Sequence, residues 1–436
     1  MPRFGFSLTA VLAVAAPVWA SYPLPPAAEG YGVPASYATE TPAGWYSPPG
    51  SAAAPGADPC GFAFDPCNGC AMSARDRATR CQHEYWVRGD WLLWNFRNTP
   101  VPALIATGNA ALPNPALPGG GNFVPLGAGP IDLGAFNGAR VTVGQWFDSE
   151  GELGAEVSGF AFGREGSAAF FTGSAATPIL SVPVVGTNGA PGVFDFAFPG
   201  RFAGTLGVRT ASQLWGAEGN LLHRWYGDGC VSVDGLFGYR FLQLNERVEL
   251  FGRSQATGAL GTFNGGILPA GVTVFTRDAF RGRTEFHGAQ VGGRVEWRRD
   301  MFTVTAFGKG GAGINVQTLN VDGSTTATGL GVTRTSLGGV RALRTNIGRE
   351  TNTDFALIGE TGIELGFQVT KNVSLRVGYN LLFWSDVLRP GSVIDPVVSF
   401  NQVPIDPTFG ATGAATRPTT VFRSSDFLAH GLDHVG

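Results

Sequence analysis

Residues able to do thiol or imidazole chemistry are few. Histidines stand at 83, 223, 287, 430 and 434, and cysteines at 60, 67, 70, 81 and 230. A hydrolase would need a histidine beside a serine or a carboxylate. Glu285 and His287, two apart on one strand face, come nearest, although a polar pair at a strand end explains them more simply. His430 and His434 share a strand face at about 13 Å, too far apart for one metal ion. Ser167 and Ser174 lack the frame of a nucleophile elbow. No phosphate loop, zinc-protease or dinucleotide motif is present. The chain is therefore read as a non-enzyme, with no catalytic residue, no metal and no cofactor.

Cys60, Cys67, Cys70 and Cys81 fall close together. In an exported chain such thiols favour two disulfides, with three connectivities open. Cys67-Asn68-Gly69-Cys70 supplies one half of a zinc site and no second half, and Ala71 stands where a haem-attachment motif needs histidine. Cys230, beside a short turn, would lie on the same side of the molecule, and a bridge from it to this segment would leave one thiol over.

The larger set of reactive side chains is ionic. Arg88, Asp90, Glu152, Glu156, Glu218, Asp234, Arg240, Arg294, Glu296, Lys309, Glu360, Glu364 and Arg376 recur opposite apolar residues in stretches of period two. Tyr85, Val87, Trp91 and Leu93 oppose Trp86, Arg88 and Asp90. Val231, Val233, Phe237 and Tyr239 oppose Ser232, Asp234 and Arg240. Val373, Leu375, Val377, Tyr379 and Leu381 oppose Ser374, Arg376 and Asn380. Period two with one charged face means strands. Charges of both signs facing a barrel interior either line an aqueous path or pair into a plug, and in a small barrel the two are about equally expected.

Short turns at 148–151, 227–229, 299–300 and 370–372 each join two such strands. Long segments separate these hairpins, at about 97–137, 164–208, 244–283, 318–353 and 386–424. Short turns on one side and long loops on the other are the rhythm of an outer-membrane barrel. The expected fold is all-β, an antiparallel transmembrane β-barrel of ten strands, the last near 425–434. Strand-like stretches at 193–198 and 272–275 leave twelve open. Tyr85, Trp91, Trp94, Trp146, Trp215, Trp225, Trp297 and Trp384 lie near strand ends, where a girdle at the lipid headgroups would place them.

Composition agrees. Gly is 65 of 436 residues, Phe outnumbers Met 32 to 3, and charged residues are 14%. That is poor helix material and good strand and turn material. The net charge of −3, with no basic cluster, sets nucleic acid aside as a partner. Met1-Pro2-Arg3, an apolar stretch from Leu8 to Val18, and Val18-Trp19-Ala20 read as a signal peptide over 1–20. No later run is long enough for a membrane helix. Residues 21–82 form a Pro/Ala/Gly-rich segment, expected to be disordered, that ends in the cysteine cluster. The barrel is expected over 83–436. Its partners would be outer-membrane lipid and the barrel assembly machinery, with the N-terminal segment a candidate for cell-wall contact.

The opening run Tyr85-Trp86-Val87-Arg88-Gly89-Asp90-Trp91-Leu92-Leu93-Trp94 resembles the first strand of the beta barrel porin-7 family of planctomycete outer-membrane proteins. So do Gly138-Ala139-Arg140 leading to Trp146-Phe147-Asp148, and Gly216-Ala217-Glu218 leading to Asp234-Gly235-Leu236-Phe237-Gly238-Tyr239-Arg240. Phe355 to Trp384 resembles the family's penultimate hairpin. The resemblance covers about 84–436 and implies an outer-membrane, porin-like barrel. The chain departs from barrels that end in an aromatic residue, closing instead on Leu432-Asp433-His434-Val435-Gly436. The expected function is passive diffusion of small solutes or ions. The alternative is a closed structural or surface-display barrel whose external loops carry the function, with an outer-membrane hydrolase a remote third.

Overall fold

The structure, a computed structural model, describes residues 85–98, 101–108, 124–126, 132–148, 151–173, 179–228, 230–258, 261–370 and 373–435. The expected signal peptide, the Pro-rich segment, His83 and the four clustered cysteines lie outside the described residues.

Ten strands form the wall: β1 Tyr85–Phe96, β2 Ala135–Trp146, β3 Leu153–Phe162, β4 Phe202–Gly227, β5 Val231–Ala256, β6 Thr273–Arg299, β7 Phe302–Gly329, β8 Gly348–Thr370, β9 Val373–Leu388 and β10 Ser424–Val435. Each is antiparallel to its neighbours, and β10 pairs with both β9 and β1, which closes the ring. Trp91 lies opposite His434 and Leu93 opposite Leu432 in the closing register. The polar ending that lacks a terminal aromatic is therefore a wall strand. Closure leaves no unpaired edge in the ring, as lipid requires.

Acidic residues build the short turns. Asp148 accepts the backbone N–H groups of Glu152 and Leu153 at 2.8 and 2.6 Å, and Gly151 takes a φ of +68°. Asp228 does the same for Cys230 and Val231, and those backbone donors hold its carboxyl below the usual range. Asp300 turns the next hairpin at a φ of +53°.

Outward residues form an apolar band. Tyr85, Trp91, Val143, Val157, Leu221, Phe237, Val291, Phe302, Ile363 and Val377 are all exposed. From Phe302 to Ile314 on β7 the exposed part of the band spans 13 residues, about 40 Å along the strand. A tilt of about 45° reduces this to roughly 28 Å, close to the ~25 Å apolar height of such barrels.

The expected long loops at 244–283 and 318–353 are mostly wall instead. Strands β4 to β7 run 26, 26, 27 and 28 residues, where roughly 9–11 cross a bilayer. Above the membrane the alternation continues with a polar outer face, so the strands persist while the lipid signature disappears. Glu165–Gly173 pairs with the upper part of β4 and Val332–Leu337 with that of β7, widening the raised wall.

The remaining loops fold against the inner face of that wall. Ile179–Gly186 pairs with Ile105–Gly108, Pro191–Ala197 and Val397–Val398. Leu180, Val182, Val184, Phe194 and Phe196 pack in one buried cluster with Val208, Val248, Leu250, Phe280, Leu319 and Val321 of the wall. This crown has a hydrophobic core of its own.

Candidate functional site

Two places gather chemically capable side chains: the lumen within the membrane and the base of the crown.

In the lumen, strand alternation turns the ionic face inward, and the charges meet across the barrel. Arg88 of β1 donates to both oxygens of Glu364 on β8 at 2.8 and 2.9 Å, and to Asp90 at 2.7 Å. Arg240 of β5 lies 2.5 Å from Glu360 of β8, and Lys309 of β7 lies 2.5 Å from Glu218 of β4. Arg294 of β6 bridges Glu156 of β3 at 3.3 Å and Asp234 of β5 at 3.2 Å. Arg376 reaches Glu296 and Glu364 at 4.0 and 3.8 Å. Most of these pairs join strands that are not neighbours in the ring, so they act as struts. Gln290 donates to Glu218 and Asn220, which satisfies acceptors the cations leave free. Unpaired buried charge is costly, and this pairing is what permits the burial.

Twelve of the thirteen charged residues read from the sequence as lumen-facing are brought together here. Glu152 is the exception. It precedes β3 in the turn, is exposed, and contributes its carbonyl to Arg224 N–H. Sequence reasoning missed Arg140, Arg224 and Asp433. Arg140 bridges Asp433 at 3.1 Å and Glu360 at 3.5 Å, while Arg224 bridges Asp234 at 2.9 Å. The signal was present for Arg140, since Val141 and Val143 face lipid and alternation turns Arg140 inward.

Above the ionic layer lies an apolar one. Trp94 and Trp384 are both 0% exposed and share a cluster with Leu92, Phe96, Phe136, Phe162, Phe286 and Phe427. Each indole N–H has a partner: Trp94 donates to Asp433 at 2.7 Å and Trp384 to Asn315 at 2.9 Å. This corrects the girdle assignment for both. They share the parity of Asp90 and Asn380, so the pleat directs them into the lumen although they sit near strand ends. Trp146 also faces inward, 5.6 Å from the Trp86 ring and with the Arg224 guanidinium 4.6 Å from its centroid. Tyr85, Trp91, Trp225 and Trp297 are exposed on the lipid side. Trp215 lies half-buried beside Phe241.

Crown and wall are joined by three buried polar residues. Asp278 of β6 accepts the N–H groups of Val340 and Ala342 at 3.0 and 2.8 Å. Burial pushes its carboxyl up to about 6, against those backbone donors and the Arg341 charge. Arg341 donates to the carbonyls of Asp395, at 3.0 Å, and Pro183, tying three loops together. Burial lowers its guanidinium to about 10 despite Asp278 and Asp395. Arg389 donates to Glu246 at 2.7 Å and to the Arg97 carbonyl at 3.0 Å.

The histidine pairings are different from those a hydrolase would need. His287 Nδ1 is 2.7 Å from the Tyr239 hydroxyl, and His430 Nδ1 is 2.6 Å from that of Tyr379. Glu285 is engaged by Arg283. No cluster of three metal-ligating side chains occurs among the described residues.

A family model described as Putative beta barrel porin-7 matches residues 86–436. The chain belongs to that family. The family's description is of a beta-barrel porin, and this porin-7 chain folds as a closed antiparallel β-barrel. No curated protein matches the sequence. Among solved structures, the outer membrane protease OmpT of Escherichia coli shares 8% identity over 80% of this chain and 94% of its own, with a TM-score of 0.37. An outer-membrane expressed OmpT of Vibrio cholerae shares 8% over 82% and 99%, with a TM-score of 0.11. Likenesses this distant say nothing about the chemistry of the porin-7 barrel.

Proposed function

We propose that this barrel is closed to solute flow and serves as a rigid membrane platform for its folded external crown. One observation carries the reading. Seven inward side chains are dry: Asp90, Glu156, Asp234, Arg240, Gln290, Glu360 and Asp433 are between 0 and 6% exposed, while Arg88, Arg294 and Arg376, toward the short turns, keep 22–26% of their side-chain surface exposed. Side chains lining an aqueous path would be wet. Above them the aromatic layer offers an ion no ligands, and the crown core covers that layer.

In this reading the chain has no enzymatic role, and function resides in what the crown presents outside the cell. The porin-like reading, passive diffusion of small solutes, is favoured by the family's name. It would require the ionic struts to part.

Conductance of folded, heat-modifiable protein in a planar bilayer separates the two. The closed reading expects no discrete steps. Reproducible ohmic steps from the wild-type chain would overturn it and restore the diffusion pore.

A further inference from the structure

Outward side chains on the tall strands change character just above the apolar band. On β5, Phe237, Tyr239 and Phe241 give way to Gln243, Asn245 and Arg247. On β6, Val291 and His287 give way to Glu285, Arg283 and Arg281. On β8, Leu357 and Phe355 give way to Thr353, Thr351 and Arg349. The register sets Arg247 opposite Arg281, Arg281 opposite Asn320, and Asn320 opposite Arg349. One row across four strands therefore carries three arginines, with Arg283 one row below it and Arg209 and Arg277 above.

Like charges directly opposite each other destabilise a sheet, so the row calls for anions. The wall supplies too few. Glu249 serves both Arg247 and Arg277, Asp322 serves Arg281 at 2.7 Å, and Glu285 serves Arg283. Arg209 and Arg349 are exposed and make no ion pair among the described residues. Three carboxylates face six arginines. The whole chain carries a net charge of −3, so the excess is local and not general basicity.

Depth identifies the missing anion. Val316 is the last outward apolar residue of β7, and Asn320, in the arginine row, lies four residues beyond it. That is about 13 Å along the strand, or roughly 9 Å of height at a tilt of about 45°. Arginine stems can lie down along the wall and lower their heads further. The guanidinium groups thus reach the headgroup level of the outer leaflet, where a planar fork matches phosphate oxygens in pairs. The Arg281–Asp322 and Arg283–Glu285 pairs are exposed and therefore weak, so these arginines can exchange their carboxylates for phosphate at little cost, while Arg349 has no carboxylate to give up among the described residues. Strands β1, β2, β3 and β10 have only 10 to 12 residues and carry no such row.

We propose that the arginine row on β5, β6 and β8 binds the phosphate groups of outer-leaflet lipid headgroups, so that the barrel gathers anionic lipid on its tall side alone.

The test uses the full-length folded protein in non-ionic detergent, with bound lipid counted by native mass spectrometry. The probes are diphosphoryl lipid A, the same lipid without its phosphates, and inorganic phosphate. Wild-type protein should retain the phosphorylated lipid, and R247Q/R281Q/R349Q should bind it at least about 50-fold more weakly, at about fivefold for each arginine facing an anionic surface. R299Q/R334Q/R344Q, which removes three exposed arginines elsewhere, should bind as wild type does. Equal retention by the first triple variant, or of the dephosphorylated lipid, would overturn the proposal. So would inorganic phosphate competing at the lipid's own concentration, which would mark a free-anion site. Heat-modifiable migration checks folding. Should the triple variant fail to fold, R349Q alone, exposed and unpaired, is expected to weaken binding about fivefold, and no change would count equally against the proposal.

Discussion

Arg240 on β5 and Glu360 on β8 meet across the lumen at 2.5 Å, although three registers of wall separate their strands. Both are buried, at 2% and 5% exposure. Glu360 also faces Arg140 at 3.5 Å, and Arg240 faces Glu218 at 3.5 Å, which in turn holds Lys309. The five side chains form one continuous line from β2 to β7. Removing one member leaves a buried charge uncompensated, which costs about 3–5 kcal/mol, while an apolar replacement of both members can be close to neutral. Arg240→Met should therefore lower the urea midpoint of the folded barrel in lipid vesicles sharply. Arg240→Met with Glu360→Leu should recover much of that loss. Equal midpoints for Arg240→Met and wild type would show that the strut carries no load.

Tryptophan orientation can be read from lipid contact. In variants that keep a single indole, brominated lipid chains should quench Trp91 and Trp297, which face lipid at 63% and 43% exposure. Trp94 and Trp384 should be unaffected, because the wall lies between them and the chains. Trp94→Ala should in addition cost about 3–5 kcal/mol, the range for emptying a large buried aromatic site. Quenching of Trp94 equal to that of Trp91 would reverse its orientation.

Much of the wall is legible in the sequence because lipid outside and charge inside impose opposite demands on alternate residues. Val373, Leu375 and Val377 against Arg376 and Asn380 can be arranged in only one way. The same alternation held the answer for Trp94 and Trp384, yet residue type suggests a girdle and parity suggests the lumen. Parity wins, since a pleat cannot turn one side chain around without a bulge. Above the membrane both faces become partly polar, and 244–283 resembles loop although most of it is strand. The crown is least legible. Asp278, Arg341 and Arg389 lie far apart in sequence, and only the folded loops bring them to their partners.

Gly339 tests the crown's attachment to the wall. A Cβ there would lie 2.0 Å from Asp278 Oδ1 and 2.9 Å from the Arg277 carbonyl. Neither the short carboxylate stem nor the strand backbone can move aside freely. Gly339→Ala should destabilise the crown by about 1–3 kcal/mol through overpacking and leave the membrane wall intact. Trypsin should then cleave after the exposed Arg344 several-fold faster, with heat-modifiable migration unchanged. Unaltered cleavage would mean that the 338–347 loop is anchored by other contacts.

Asp278 gives the crown a pH dependence. Burial raises its carboxyl from 3.8 to about 6, outweighing the Val340 and Ala342 donors and the Arg341 charge. Between those values the folded crown holds a proton that the unfolded chain has released. The stabilisation is complete below about 3.8 and is lost as pH rises through about 6, by up to about 3 kcal/mol. Glu249, outside the crown on the same wall, has the opposite sign: burial would raise it, but Arg247 and Arg277 hold it low, so its contribution fades only in acid. Comparing Asp278→Asn with wild type isolates the first effect, because the amide cannot titrate. Hydrogen exchange at Val340 and Ala342, corrected for intrinsic rates, should show wild-type protection falling from pH 5 to pH 7.5 and the variant's protection level over that range. Parallel profiles would place the proton elsewhere.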